Sequence, residues 1–141
     1  MYLSIIFTTL FSLVNFFGES NSPVSWTFET KKLDDHNVEM IATATMQKTW
    51  VLYSQFTDDN GPIPTSFVVN GAEVKFEEKS KALKEFDNMF EVEVIKFKDN
   101  AVFTKKFPIK KEESISGYVT YMTCDGAKCL PPTDVTFDLK F

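Results

Sequence analysis

The chain has 141 residues, a formal net charge of −5, 43% hydrophobic residues and 25% charged residues. The length suits a single domain, and the balance of apolar and charged residues excludes a disordered chain. The acidic charge argues against a nucleic-acid partner, because phosphates would be repelled. Fifteen Phe and four Tyr against five Gly predict strands that pack large aromatic side chains.

The N-terminus differs from the rest of the chain, since residues 3–17 are almost continuously apolar and the polar stretch GESNSP follows. This run has the length of a signal-peptide core and is short for a membrane span. Gly18 and Ser20 are small residues at the spacing of a signal-peptidase site, although no Lys or Arg precedes the apolar run. We predict a signal peptide over residues 1–20 and an exported, periplasmic domain over residues 21–141. A buried N-terminal element and an uncleaved membrane anchor are the alternatives.

The next segments read as strands because apolar residues recur with a period of two. Val24, Trp26 and Phe28 alternate in VSWTFETKKL, and VEMIATATM repeats the pattern. A third run, WVLYSQF, ends at the turn-forming cluster TDDNGPIP, in which Gly61 is available for a positive φ. Asn70-Gly71 predicts a hairpin with a type I′ turn.

The segment EEKSKALKEFDNMFE is the one helix-like or irregular stretch, and it is predicted to be a loop that crosses the surface and tucks a few apolar side chains down. These side chains are Leu83, Phe86, Met89 and Phe90. A further hairpin is predicted around Asp99-Asn100, and two alternating strands close the chain. Eight or nine short strands with turns between them and no strand–helix alternation predict an all-β, antiparallel sandwich.

Both cysteines lie on the last hairpin of this sandwich, in YMTCDGAKCLPP. Asp125 and Gly126 are turn residues, so Cys124 and Cys129 face each other across the hairpin tip and can come close enough for a disulfide. Closing so short a ring stabilises a fold by only about 2 kcal/mol, which makes the tip a poor place for a staple. A structural disulfide, a redox pair and half of a metal site all remain open. The metal site is the weakest, because His36 is the single histidine and lies far away in sequence.

Three stretches of the chain resemble a known family. GYVTYMTCDGAKCLPPTDVTFDLKF, preceded by TWVLYSQFTDDNGPIPTSF and VSWTF, is similar to the N-terminal periplasmic domain of the thiol:disulfide interchange protein DsbD, in the form of Bacteroidetes-type bacteria. The similarity runs from about Pro23 to Phe141, and its most specific part is the cysteine hairpin followed by two prolines. The resemblance implies an immunoglobulin-like sandwich with a redox-active cysteine pair.

The same resemblance implies roles for individual residues. Cys129 matches the cysteine that forms the mixed disulfide with partners, and Cys124 the one that resolves it. A cap loop shields the pair in that family, and its aromatic residue matches Phe90, with Met89 as the alternative. Tyr53 falls on the strand that lines the site. Ordinary core packing is the alternative explanation for Phe90 and Tyr53.

Two functions follow as hypotheses. The first is an exported thiol–disulfide exchange module, part of a protein-disulfide reductase system. It would take electrons from a membrane-embedded thiol reductase and pass them to thioredoxin-fold proteins such as disulfide isomerases and cytochrome c maturation factors. It needs no cofactor and no metal, because the cysteines themselves carry the two electrons. The second is a non-enzymatic, immunoglobulin-like binding domain with a structural hairpin disulfide.

Lys128 directly precedes Cys129 in the sequence. Its ammonium group either lowers the pKa of Cys129 or is simply solvated.

Overall fold

The computed structural model describes residues 22–110 and 114–141. Within these ranges the regular structure consists of twelve β-strands and no helix. The strands are β1 (Val24–Lys32), β2 (Asn37–Met46), β3 (Val51–Tyr53), β4 (Ser66–Val69), β5 (Ala72–Val74), β6 (Glu77–Glu78), β7 (Leu83–Asp87), β8 (Val92–Lys98), β9 (Asn100–Pro108), β10 (Ile115–Tyr121), β11 (Thr123–Cys124) and β12 (Thr133–Leu139). Across the described residues, therefore, no helix could cross a membrane. The predicted signal peptide lies outside the described residues and stays a prediction.

The strands form three antiparallel four-stranded sheets with the orders β1-β2-β9-β6, β12-β10-β4-β5 and β11-β3-β8-β7. The longest ladder joins β1 to β2, from Val24 opposite Met46 to Lys32 opposite Val38. Only Met122 separates β10 from β11, so the chain passes directly from the second sheet into the third. The architecture is an immunoglobulin-like antiparallel sandwich, as the sequence predicts.

The main core is shared by all three sheets and is dominated by aromatic rings. The Phe28 and Phe137 ring centres are 5.0 Å apart and join β1 to β12. Phe67 and Phe103, both fully buried, lie 5.3 Å apart and join β4 to β9. Burying such rings removes a large apolar area from water, which is why alternating aromatic strands assemble into two layers.

Three local predictions are wrong in instructive ways. The turn at Asp99, where φ is 68°, does not close a hairpin, because β8 and β9 belong to different sheets. The segment predicted to be irregular contains the edge strand β7, paired with β8 from Leu83 opposite Lys96 to Asp87 opposite Val92. An edge strand exposes both faces, so its sequence lacks the alternation that marks a half-buried strand. Within this segment Phe86 is 61% exposed instead of tucked down.

Candidate functional site

The two cysteines form a disulfide at the tip of the last hairpin. Cys124 ends β11, and Cys129 stands opposite it as an antiparallel bridge, with 4.0 Å between the Cα atoms. The flanking backbone closes the hairpin, because the Leu130 N–H donates to the Thr123 carbonyl at 3.0 Å. The Thr123 hydroxyl donates to the Val51 carbonyl at 2.7 Å and fastens the hairpin to β3.

The loop between the cysteines is organised by Asp125. Its carboxylate accepts hydrogen bonds from the backbone N–H groups of Ala127 and Lys128, each at 2.9 Å. These bonds stabilise the ionised carboxylate and lower the pKa of Asp125, the bond from Lys128 contributing most. Gly126 has φ of +92°, and a Cβ there would meet nothing within 4 Å, so glycine is favoured for its backbone freedom alone. The turn roles predicted for Asp125 and Gly126 are confirmed.

The two sulfur-bearing residues differ in exposure. Cys124 is 2% exposed, whereas Cys129 is only partly buried. An incoming thiolate attacks a disulfide at whichever sulfur it can reach. The geometry therefore makes Cys129 the accessible member of the pair and Cys124 the enclosed one.

A small apolar cluster, separate from the main core, encloses the disulfide. Its buried members are Tyr53, Val94 and Cys124, and its half-buried members include Phe90 and Cys129. The Tyr53 and Phe90 rings meet edge to face, with 6.4 Å between their centres. The cluster thus brings together Cys124, Cys129, Tyr53 and Phe90, four of the five residues singled out in the sequence. Met89 is not among them and is 43% exposed.

Phe90 is carried by the β7–β8 turn at residues 88–91, which we call the cap turn. The Asp87 carboxylate accepts hydrogen bonds from the Met89 N–H at 2.8 Å and the Phe90 N–H at 3.1 Å. The Glu91 N–H donates to the Asp87 carbonyl at 2.7 Å, and Glu91 itself has φ of 56°. Asp87 therefore fixes the backbone from which Phe90 reaches the cluster, a turn chemistry typical of aspartate.

Gly61 contacts the cap turn from the other side. A Cβ on this residue would lie 2.7 Å from Val92 Cγ2 and 3.3 Å from Phe90 Cβ. The predicted positive φ is wrong, since among the described residues the glycines with positive φ are Gly71 and Gly126. Glycine at position 61 instead allows the GPIP loop to approach the cap closely.

Tyr53 lies at the bottom of the cluster and is fully buried. Its carbonyl accepts a hydrogen bond from the Thr65 hydroxyl at 2.6 Å, but its own hydroxyl has no partner among the described residues. Burial first, and then the negative charge of Asp87, raise the pKa of the Tyr53 hydroxyl above its ordinary value. The ring therefore acts at neutral pH as an uncharged wall behind Cys124.

Comparison with known proteins finds a match among solved structures. The N-terminal domain of DsbD from Neisseria meningitidis, in its reduced form, superposes with a TM-score of 0.53 over 82% of this chain and 85% of that one, at 18% identity. The chain has the fold of a DsbD N-terminal domain. No family model and no curated protein sequence matches it. At this identity the DsbD likeness shows the fold, and the chemistry has to be argued from the cysteine pair itself.

Three neighbours of the site on this DsbD-like fold could not be recognised as such from the sequence: Asp87, Gly61 and Trp50. Asp87 and Gly61 support the cap turn, and the Trp50 ring lies under the Lys128 ammonium, 5.9 Å from Nζ to the ring centre. The Asx pattern of Asp87-Asn88-Met89 was the one signal that could have revealed the first of them. His36 lies in a solvent-exposed turn, and the described residues hold no group of three or more His, Cys, Asp or Glu placed to bind a metal.

Proposed function

We propose that this chain is a thiol–disulfide exchange module that transfers two electrons through Cys124 and Cys129 to thioredoxin-fold proteins outside the cytoplasm. The observation that carries the proposal is the disulfide itself. It joins an enclosed and an accessible cysteine at a hairpin tip, on a fold shared with the DsbD N-terminal domain. A disulfide that mainly stabilised the sandwich would gain more by linking distant strands than by closing a loop of four residues.

In the first half of the cycle the module is reduced. A thiolate of the donor, a membrane-embedded thiol reductase, attacks Cys129 Sγ and breaks the bond to Cys124, which leaves as a thiolate and takes up a proton. The donor's second thiolate then attacks the donor sulfur of the mixed disulfide. The donor departs oxidised, and Cys129 is released as a thiolate.

In the second half the module passes the electrons on. The Cys129 thiolate attacks a disulfide of the acceptor, and one acceptor sulfur leaves as a thiolate. Cys124, once deprotonated, attacks Cys129 Sγ, re-forms the disulfide and releases the second acceptor thiolate. Two electrons and two protons have then moved from donor to acceptor. The unequal burial of the two cysteines supports this division of roles.

The cap turn would act as a shield. Phe90 packs against the cluster that holds both sulfurs, and the turn that carries it is a short surface element held by backbone hydrogen bonds to Asp87. A docking partner could displace such a turn without disturbing the main core, because the cluster is separate from it. Small oxidants and thiols would then react more slowly than a partner does.

Exchange with thioredoxin-fold proteins of known potential tests the proposal. The reduced protein is mixed with oxidised protein disulfide isomerase, and the oxidised protein with reduced thioredoxin, whose potentials are about −180 and −270 mV. Thiol alkylation and mass measurement follow both partners. We expect stoichiometric transfer, and an accumulating mixed disulfide for Cys124→Ala but none for the matched Cys129→Ala variant. Trapping through Cys124 instead would reverse the assigned roles, and absence of transfer in either direction would refute the proposal.

A further inference from the structure

A groove opens beside the cysteine hairpin, at the turn that leads into β3. It has a volume of about 330 Å³ and is lined by residues 47–51 together with Lys98 and Asp99. We call this feature the β3 groove. It shares Val51 with the apolar cluster around the disulfide, and the exchange chemistry described above makes no use of it.

The β3 groove is continuous with the redox site. Val51, one of its lining residues, pairs with Cys124 on one side and with Lys98 on the other. Lys128, which directly precedes Cys129, extends over the Trp50 ring. The residue that precedes Cys129 therefore contacts a residue that lines the groove.

The groove is positively charged on a molecule that is acidic as a whole. Two exposed lysines, Lys48 and Lys98, and one carboxylate, Asp99, line the groove, and the exposed Lys128 adds a third ammonium group at its edge, over Trp50. Lys98 also lies 3.8 Å from the Glu85 carboxylate, an exposed pair of the kind that contributes little. The net charge of the chain is −5, so this concentration of ammonium groups runs against the general balance. Complementarity of charge points to an acidic ligand.

The floor of the groove combines an aromatic ring with a tightly held turn. Trp50 is half-buried with the Lys128 ammonium over its ring, so a carboxylate that drew Lys128 aside would leave a flat apolar surface open. The preceding residue, Thr49, has φ of 77°, which a β-branched residue rarely adopts. The turn is held in this conformation by the Trp50 N–H, which donates to the Gln47 carbonyl at 3.1 Å, and by the Gln47 N–H, which donates to the Pro23 carbonyl at 2.8 Å. Backbone strain of this kind concentrates at binding sites.

We propose that the β3 groove binds an acidic segment of the thioredoxin-fold partner, seating its carboxylates on Lys48 and Lys128 and an apolar side chain on Trp50. This inference rests on the proposed function, since it names the chemistry of the surface that docks while Cys129 exchanges. The groove would select partners, whereas the cysteines carry out the exchange.

The test compares three disulfide-containing peptides that differ only in their flanking residues, which are Glu, Gln or Lys. Stopped-flow mixing with the reduced protein gives a second-order rate constant for each, and the ratio of the Glu to the Gln peptide is the readout. This ratio cancels any effect of a substitution on the reactivity of Cys129. We expect a ratio of roughly ten at low ionic strength that falls toward one with added salt.

The variant Lys48→Glu/Lys128→Glu is expected to invert this preference. The matched control, Lys31→Glu/Lys140→Glu, changes the net charge equally at two exposed lysines away from the groove and should keep the wild-type ratio. Equal rates for the three peptides in the wild type would refute the proposal that the groove binds an acidic segment. The same loss of the preference for the Glu peptide in the control variant would also refute it.

An acidic peptide without cysteine separates this inference from the proposed function. Binding of that peptide by a protein that exchanges with none of the disulfide peptides would refute the exchange module and uphold the groove. Exchange with all three disulfide peptides at one common rate would uphold the exchange module and refute the groove. Binding to anionic vesicles without discrimination among the peptides would assign the lysines to a membrane surface and overturn the proposal.

Discussion

The cap turn offers a quantitative prediction through Phe90→Ala. Phe90 is half-buried, and half of a phenylalanine burial contributes about 1–1.5 kcal/mol. Its edge-to-face contact with Tyr53 adds about 0.5–1.5 kcal/mol. Lifting the ring away from the cluster therefore requires about 2 kcal/mol in total, which corresponds to roughly 30-fold, since each 1.4 kcal/mol is tenfold.

If a small thiol reaches the disulfide only when the cap turn is open, Phe90→Ala should raise the rate of reduction by dithiothreitol by roughly 30-fold. The rate is measured by quenching with an alkylating reagent and weighing the protein. The free energy of unfolding should fall at the same time by about 1–2 kcal/mol, because the ring no longer packs on Tyr53.

Two matched variants on the same hairpin make the result specific. Phe86→Ala removes a ring that is 61% exposed and should leave the rate at the wild-type value. Met89→Ala tests the alternative cap residue, which is 43% exposed and should also have little effect. Reduction of Phe90→Ala at the wild-type rate, or acceleration by Met89→Ala alone, would refute the shielding role of Phe90.

Three further predictions concern the walls of the site. Gly61→Ala places a Cβ 2.7 Å from Val92 Cγ2, so it should destabilise the fold by about 1–3 kcal/mol, as measured by urea titration. It should also speed reduction of the disulfide by displacing the cap turn. Unchanged stability and an unchanged reduction rate would show that the loop gives way freely. Tyr53→Phe removes a buried hydroxyl without a partner in the described part of the chain, and should be neutral or stabilising by up to about 1 kcal/mol, whereas a large loss would reveal an unseen partner. Asp125 has a pKa held below its ordinary value of 3.8, so its hydrogen bonds stabilise the loop above that pH and are lost as the pH falls through the lowered pKa. The protection factor of the Ala127 amide, which is the ratio of its intrinsic to its observed exchange rate, should therefore fall in acid for the wild type, but not for Asp125→Asn, which keeps an uncharged acceptor.

Much of this fold could be predicted because its strands are half-buried. Trp26 and Phe28 alternate with polar residues, and Asn70 and Gly71 adopt the positive φ values, 49° and 85°, that a type I′ turn requires. The edge strand β7 escaped prediction because Lys84, Glu85 and Phe86 are all exposed. The sequence predicts the turn at Asp99, but the local residues carry no information about which sheet the next strand joins.

The site could be predicted only in part, and for similar reasons. The cysteine hairpin is local, so Asp125 and Gly126 specify it directly. The contacts of Gly61 with the cap turn and of Lys128 with Trp50 join residues far apart in sequence, and depend on how three sheets meet. The sequence could not decide between Phe90 and Met89 either. These adjacent residues of one turn point in different directions, and only packing determines which of them is enclosed.

The reduction potential of the Cys124–Cys129 pair tests the central claim most directly. The protein is equilibrated in dithiothreitol or glutathione buffers, the thiols are trapped and counted by mass, and circular dichroism follows the fold in the same samples. An exchange module should have a potential above roughly −300 mV and keep its sandwich in both redox states. A pair that resists reduction until the domain unfolds would contradict the account and leave a binding domain with a structural hairpin disulfide.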